Sequence, residues 1–113
     1  MRKTKLYSEH IQLNAKMVDF GGFDMPIQYT GISTEHLNVR NNVGIFDVSH
    51  MGEFYVSGND ALGFLNYVCS NNIHKIKIYK AQYNCLINEN GGIIDDLIIY
   101  RTNDKDYMLV VNA

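Results

Sequence analysis

The segment from residue 83 to residue 112 constrains the fold most, because three β-type runs in it are separated by two turn signals. The Asn-Gly-Gly sequence at 90–92 suits a hairpin turn, since asparagine and glycine tolerate the positive φ angles of tight turns. The polar Thr-Asn-Asp sequence at 102–104 marks the second break. The segment therefore predicts three successive antiparallel strands.

The middle run, residues 93–100, is apolar or aromatic on both faces except for the adjacent residues Asp95 and Asp96. Successive strand residues point to opposite faces, so one carboxylate faces the core whichever face is buried. A buried carboxylate either has hydrogen-bond partners or keeps its proton through a raised pKa. The pattern is compatible with two roles for this carboxylate. It is either part of a functional site or a structural group that accepts hydrogen bonds from the N–H groups of a neighbouring loop. Since the two residues point to opposite sides, we do not expect them to flank one substrate atom, and we interpret Asp95 as structural.

The composition is that of one globular domain. The chain has 113 residues, of which 46% are hydrophobic and 19% charged, and its two isolated cysteines indicate no disulfide framework. A formal net charge of −2 and scattered lysines argue against nucleic acid as a partner. No apolar run approaches the roughly 20 residues of a membrane span, and the charged N-terminus does not resemble a signal peptide. We therefore expect a cytoplasmic protein without a membrane partner, and the spacing of the histidines predicts no metal site.

Apolar residues at helical spacing predict three short helices. The first lies within residues 4–15, where Thr4 is the expected N-cap. The second lies within residues 31–43, where the Ser-Thr-Glu-His sequence at 33–36 resembles a capping motif and Gly44 is the expected C′ residue. The third follows Asn59 or Asp60, either of which is a suitable cap for the apolar positions from 62 to 69.

Short β-type runs supply the rest of the predicted fold. Residues 17–20 and 23–29 form a predicted hairpin, in which Pro26 indicates an edge strand. The segment 73–80 alternates apolar and basic residues and is either an exposed edge strand or an extended loop. Two further short strands are predicted at 45–48 and 53–56. The order of elements predicts an α+β domain: a mostly antiparallel sheet with a C-terminal three-stranded meander and three short helices.

Two stretches carry more polar and aromatic groups than folding requires. In the loop 46–54, Asp47, Ser49 and His50 are candidates for chemistry. The alternative is a tight connection in which the first two bind local backbone and His50 is a half-buried side chain with its hydrogen bonds satisfied. The second stretch surrounds Asp96 in the meander. Aromatic rings beside a carboxylate in a low-dielectric site suit a flat, nitrogen-rich heterocycle, although tyrosines on strands are also common packing residues. The residues concerned are Tyr83, Tyr100, Tyr107 and, at the far end, Asn112.

Three motifs resemble one known family. They are the run KMVDFGGFDMPIQYTGISTEHLNVRNNVGIFDVSHMGEFYVSG, the run NENGGIIDDLIIYR and the C-terminal YMLVVNA. In this order they resemble the N-terminal portion of the aminomethyltransferase of the glycine cleavage system, the T protein, from about Leu6 to Ala113. Demethylating regions of sarcosine and dimethylglycine dehydrogenases share parts of the pattern, but the pairing of DVSHMGE with GGIIDDL favours the T protein.

The resemblance implies a transferase of one-carbon metabolism and glycine catabolism. Its reaction moves the aminomethyl carbon from the lipoyl arm of the partner H protein to the co-substrate tetrahydrofolate, giving 5,10-methylenetetrahydrofolate and ammonia. The family's key aspartate is the second Asp of the IDDL motif, so the resemblance implies that Asp96 is the catalytic residue and binds the folate nitrogens. The folate-binding residues that it implies are Met51, Tyr83, Asp96, Ile98, Tyr100 and Asn112.

The resemblance also reveals a difference in length, because T proteins continue with further domains and with an acidic residue and an arginine that grip the folate. We therefore expect a truncated form of a longer protein, with residues 1–113 as the N-terminal part of the folate-binding domain and with little activity alone. One alternative is a folate-binding module of a non-catalytic or demethylating relative, although such relatives generally lack the complete motif pair. Another is an interaction domain that uses the basic run HKIKIYK at 74–80 to meet an acidic partner.

Overall fold

The computed structural model describes all 113 residues, which form two compact units. The first unit contains Met1–His50 together with Ala113, and the second contains Met51–Asn112. The mixture of short helices and mostly antiparallel strands confirms the predicted α+β class. In chain order the elements are β1 (Arg2–Lys3), α1 (Tyr7–Gln12), β2 (Lys16–Phe20), β3 (Phe23–Gln28), α2 (Ile32–Asn41), β4 (Gly52–Ser57), α3 (Ala61–Val68), a 3₁₀ turn (Ile73–Lys75), β5 (Ala81–Ile87), β6 (Ile93–Arg101) and β7 (Asp106–Val111).

The first unit contains a three-stranded sheet in the order β1-β3-β2. Strands β2 and β3 form the predicted hairpin, and both turn glycines have positive φ angles, 59° at Gly21 and 80° at Gly22. The prediction that Pro26 marks an edge strand is wrong, because β3 lies between the other two strands. Proline is tolerated there because the two-residue strand β1 pairs only with Phe23 and Asp24, so no β1 residue stands opposite Pro26.

The first two helices form where the sequence predicts them, but they are capped differently. Helix α1 begins at Tyr7, and Thr4 does not cap it, since its buried hydroxyl donates instead to Asp47 Oδ2 at 2.8 Å. Helix α2 begins after Gly31. Its entry is held by Glu35, whose carboxylate accepts the N–H groups of residues 29, 30 and 31 at 2.7, 2.8 and 2.9 Å. One carboxylate thus satisfies three backbone donors and replaces the predicted serine or threonine cap.

Other predicted details of the segments between the strands are wrong. Helix α2 ends at Asn41, so Gly44 lies beyond its C′ position. Residues 45–48 form no strand, because Asp47 turns inward and accepts hydrogen bonds from Thr4 and from the backbone of the next loop residues. Helix α3 forms as predicted, but the side chain of Asp60, at its N-cap, makes no capping hydrogen bond.

The second unit contains a four-stranded antiparallel sheet in the order β4-β7-β6-β5. Strands β5, β6 and β7 form the predicted meander, and β4 extends it by pairing along the whole of β7. In the turn between β5 and β6 only Gly91 has a positive φ angle, 78°. The Asn88 side chain closes this turn by accepting the N–H groups of residues 90 and 92 at 3.0 and 2.8 Å.

One face of this sheet is covered by α3 and the 3₁₀ turn. Leu97 and Ile99 point into the resulting core, so the face that they share with Asp95 is buried and Asp96 lies on the opposite, open face. The edge-strand interpretation of segment 73–80 is wrong, because this segment forms the 3₁₀ turn and a loop and buries Ile73 and Ile76 in the core. The buried core residues are Ala61, Leu65, Cys69, Ile73, Ile76, Leu97, Ile99, Tyr107, Leu109 and Val111.

Candidate functional site

Asp96 lies on the open face of the four-stranded sheet, the face that also carries Ile98 and Tyr100. Asp96 is exposed to solvent, so the prediction of a low-dielectric environment around it is wrong. Hydrogen bonds from Tyr83 and Asn112 lower the pKa of the Asp96 carboxyl and outweigh the small opposing effect of burial. Asp96 is therefore an anion at neutral pH, and its oxygens are hydrogen-bond acceptors.

Tyr83 approaches Asp96 from the neighbouring strand β5. In the β5–β6 ladder Tyr83 pairs with Ile98, while Cys85 pairs with Asp96. The Tyr83 hydroxyl reaches the diagonal neighbour and donates to Asp96 Oδ2 at 2.9 Å. This hydrogen bond, together with the negative charge that accepts it, raises the pKa of Tyr83. The phenol thus stays protonated while the carboxylate stays ionised.

Asn112 connects both aspartates of the IDDL motif. Its Nδ2 donates to Asp95 Oδ1 and to Asp96 Oδ1, each at 2.7 Å, and lies 3.2 Å from the backbone oxygen of Asp96. The two carboxylates therefore meet at one atom of the protein, which strand alternation did not lead us to expect. The reason is that the β6–β7 ladder ends at the pair Leu97–Val111, so the three polar residues lie just beyond it, at the boundary between the two faces.

The remaining expected site residues lie around this polar group. Ile98 and Tyr100 are 39% and 36% exposed on the open face. Met51 immediately precedes β4, whose first residue pairs with Val111, so Met51 lies at the same end of the sheet as Asn112. Tyr107 does not belong here, because it is 1% exposed in the core on the opposite face. The structure therefore places all six expected binding residues on one face or at one end of the sheet.

A second polar cluster lies within the first unit, around Asp47. Its Oδ2 accepts hydrogen bonds from the Thr4 hydroxyl and from His10 Nε2, each at 2.8 Å, and its Oδ1 accepts the Ser49 N–H at 2.9 Å. The Tyr29 hydroxyl lies 2.8 Å from His10 Nδ1. Because a carboxylate only accepts, His10 donates through Nε2, and in the neutral ring Nδ1 accepts the hydroxyl proton of Tyr29.

Burial and hydrogen bonding act in opposite directions on Asp47, whose side chain is 2% exposed. Burial works to raise the pKa of this carboxyl, but hydrogen bonds from Ser49, His10 and Thr4 outweigh it and hold the pKa well below its usual range. Burial also raises the pKa of Tyr29, assisted by the charges of Asp47 and Glu35. Asp47 is therefore ionised, and the protein supplies hydrogen-bond donors to both of its oxygens.

His50 contributes to neither polar cluster. It is half-buried, as one interpretation of the loop predicted, and its ring packs edge-on against Phe20 and Phe23, with ring centroids 5.2 and 6.3 Å away. Its Nδ1 is buried without a hydrogen-bond partner, so the expectation that its hydrogen bonds are satisfied is wrong. No group of three or more His, Cys, Asp or Glu side chains is arranged to hold a metal ion. The helices are all too short or too polar to cross a membrane.

The family model described as "GCVT N-terminal domain" matches residues 6–113. The chain belongs to this family. The aminomethyltransferase of Thermus thermophilus is 53% identical over 113 residues, and that of Phocaeicola vulgatus is 55% identical over 113 residues. Each alignment covers the whole of this chain, but only 32% and 31%, respectively, of the relative. The chain thus spans about a third of the length of the curated relatives that it matches.

A solved structure of the same family supports the fold. The crystal structure of glycine cleavage system aminomethyltransferase T from Bartonella henselae matches with a TM-score of 0.93 and 40% sequence identity. The match covers 99% of this chain and 31% of that one. These findings confirm the resemblance to the N-terminal portion of the T protein family that the three sequence motifs indicated.

Sequence reasoning missed two sets of residues that the structure brings together. His10, Thr4 and Tyr29 were not connected with Asp47, although the polar composition of the loop around Asp47 was itself a signal. The contact of Asp95 with Asn112 was missed because strand alternation was applied beyond the end of the ladder. In both cases the partners are far apart in sequence, so no local pattern joins them.

Proposed function

We propose that this chain is the N-terminal part of an aminomethyltransferase of the glycine cleavage system, and that the open face of its four-stranded sheet binds tetrahydrofolate. The proposed reaction transfers the aminomethyl carbon from the lipoylated H protein to tetrahydrofolate and releases ammonia. One observation carries the proposal: the ionised, exposed carboxylate of Asp96 is held in place by Tyr83 and Asn112. Family membership and the names of the relatives support the reaction class.

The chemistry of the open face fits a reduced pterin ring. Tyr83 donates to one oxygen of Asp96 and Asn112 to the other, so each oxygen keeps room for a further hydrogen bond. A pterin presents ring N–H and amino groups that donate to such acceptors. The exposed side chains of Ile98 and Tyr100 provide adjacent apolar and aromatic surface for the flat ring.

In the proposed mechanism Asp96 orients the pterin so that N5, the nucleophile, faces the aminomethyl carbon. As N5 and then N10 bond to the aminomethyl carbon, each loses a proton, and the bonds of that carbon to nitrogen and to the lipoyl sulfur break, so the two protons leave on ammonium and on the dihydrolipoyl thiol. An ionised carboxylate can accept and pass on the N5 proton but cannot supply one. A lowered pKa makes Asp96 a weak base, so it favours the role of an orienting acceptor over that of a general acid. Positioning and electrostatic complementarity supply the rate enhancement.

The first test is calorimetric titration of this 113-residue chain with tetrahydrofolate. We expect saturable binding that Asp96→Ala weakens about tenfold or more, since it removes the charged acceptor. The matched control is Asp60→Ala, because the Asp60 side chain is exposed and makes no capping hydrogen bond. Equal affinities for the two variants, or no binding by both the folded chain and a hybrid that joins it to the rest of a relative, would contradict a pterin site on this face.

A hybrid enzyme separates the transferase from its alternative, a non-catalytic or demethylating folate-binding module. In the hybrid, residues 1–113 replace the matching 113 residues of the Thermus thermophilus relative. If the chain is part of a transferase, the hybrid should release ammonia from aminomethylated H protein in the presence of tetrahydrofolate. Binding of tetrahydrofolate without this turnover would favour the alternative. The cytoplasmic location expected from the sequence stays a prediction.

A further inference from the structure

The carboxylate of Asp95 does not enter the core, although its face of β6 is the buried one. It turns instead to the end of the strand, where Oδ1 accepts Asn112 Nδ2 at 2.7 Å and Oδ2 accepts the Asn112 backbone N–H at 3.2 Å. Oδ1 also accepts the backbone N–H of Asp96 at 3.0 Å. Asp95 therefore contacts the backbone or side chain of both polar residues of the proposed pterin site.

These contacts permit only one orientation of the Asn112 carboxamide. Carboxylate oxygens accept hydrogen bonds and cannot donate them, so the amide atom lying 2.7 Å from both Asp95 and Asp96 must be the nitrogen. The two carboxylates together engage both amide hydrogens. Oδ1 of Asn112 then faces away from them and makes no hydrogen bond within the chain.

We propose that Asp95 is a positioning residue that fixes the Asn112 carboxamide so that its Oδ1, beside the Asp96 carboxylate, forms a pair of acceptors for adjacent N–H donors of the ligand. This inference rests on the proposed function of the open face and adds a residue to it. Asp95 itself does not touch the ligand. It acts through Asn112 and through the backbone of Asp96.

The competing explanation is that Asp95 only fastens the end of β7 to β6. The variant Asp95→Asn separates the two explanations, because it keeps the shape of the side chain but introduces an amide that can also donate. The new amide accepts only through its oxygen, so it cannot accept both Asn112 donors as the carboxylate does, and the Asn112 carboxamide is then held by Asp96 alone. A fastening role is largely kept by the isosteric amide, whereas a positioning role is lost.

The experiment compares the 113-residue chain and its variants by thermal unfolding, tetrahydrofolate calorimetry and nitrogen-edited NMR of the Asn112 side-chain amide. For Asp95→Asn we expect little change in unfolding, about a tenfold loss of affinity, and shifted or broadened Asn112 amide signals. The control is Asp106→Asn, which removes a half-buried carboxylate from β7 away from the site. The control should leave both the affinity and the Asn112 signals unchanged.

A double-mutant cycle tests whether Asp95 acts through Asn112. In the Asn112→Ala variant, adding Asp95→Asn should reduce the affinity for tetrahydrofolate only slightly, because the side chain through which Asp95 acts is absent. Additive losses, or a lowered melting temperature with unchanged affinity and unchanged Asn112 signals, would overturn the proposal. If Asp96→Ala weakens binding but Asp95→Asn does not, only the positioning role fails. If neither the folded chain nor the hybrid enzyme binds tetrahydrofolate, the proposed function fails and takes the positioning role with it.

Discussion

Asp47 and Asp96 both have a pKa lowered by hydrogen bonds, but they lie in opposite surroundings. Asp47 is buried and accepts from three groups of the protein, on Thr4, His10 and Ser49. Asp96 is exposed and accepts from two, on Tyr83 and Asn112. Donors of the protein occupy the oxygens of Asp47. The protein also orients Asp96, but the oxygens of Asp96 can accept further hydrogen bonds from a ligand.

The comparison shows that a lowered pKa alone does not distinguish a structural carboxylate from a functional one. What distinguishes them is whether the donors that lower the pKa also exclude other partners. Around Asp47 they do, because burial leaves no approach to its oxygens. Both donors to Asp96, Tyr83 and Asn112, belong to the same sheet unit, so the solvent-facing side of the carboxylate stays free. Substitution should therefore affect stability at Asp47 and ligand chemistry at Asp96.

The largest effect on folding is expected from Asp47→Ala. The substitution leaves buried donors of His10 and Thr4 without an acceptor, and breaking such a charged network typically costs about 3 kcal/mol or more. Chemical denaturation measures the loss in the free energy of unfolding. The control is Glu9→Ala, an exposed carboxylate on α1 without a side-chain hydrogen bond, which should change stability little. Equal effects of the two substitutions would remove the distinction drawn for Asp47.

The largest effect on activity is expected from Asp96→Asn in the hybrid enzyme. Replacing the anion by a neutral amide removes the base and one charged acceptor, so turnover should fall about a hundredfold, while the melting temperature stays close to that of the unsubstituted hybrid. Ammonia release and thermal unfolding are measured on the same preparations. Asp60→Asn serves as the matched loss of a surface carboxylate. A fall in turnover that merely follows a fall in stability would make Asp96 a second structural aspartate.

Local chemistry explains what the sequence predicted correctly. The hairpins at 21–22 and 90–92 follow from glycines with positive φ angles, and these turns pair the strands on either side of them. The placement of Asp96 opposite the core followed from the two-residue period, once Leu97 and Ile99 were known to be buried. The meander was therefore within reach of the sequence alone, whereas the choice of its open face required the burial of Leu97 and Ile99.

Contacts between distant residues explain what could not be predicted. Asp47 and His10 are separated by 37 residues, so neither helix spacing nor loop composition reveals that they meet. Thr4 was interpreted as a helix cap because capping rules consider only residues that are adjacent in sequence, whereas its hydroxyl binds the distant Asp47. Asn112 lies beyond the last ladder pair, where strand alternation no longer determines which side chains converge. The missed contacts are all of this non-local kind.

Lowering the pH should affect the stabilisation contributed by Asp47 and that contributed by Asp96 differently. A lowered folded pKa means that the stabilisation is present above the unfolded value of about 3.9 and is lost as the pH falls through the folded value. In that window the unfolded chain binds more protons, so the free energy of unfolding rises with pH. Asp47→Asn should flatten this rise, as measured by denaturant titrations above and below that pH, whereas Asp96→Asn should alter it less, since Asp96 is exposed. The reverse order would contradict the assignment of Asp47 as the structural carboxylate.

The smallest effect is expected from Tyr83→Phe, which tests whether orientation of Asp96 matters separately from its charge. The substitution keeps the aromatic ring but removes the donor to Asp96 Oδ2, so the pKa of Asp96 should rise towards its ordinary value and tetrahydrofolate affinity should fall about threefold to tenfold. The control is Tyr100→Phe, because the Tyr100 hydroxyl on the same open face makes no hydrogen bond to a side chain. NMR titration of the aspartates and calorimetry measure the two quantities. If both tyrosine variants change the affinity equally, the hydrogen bond from Tyr83 to Asp96 has no special part in binding.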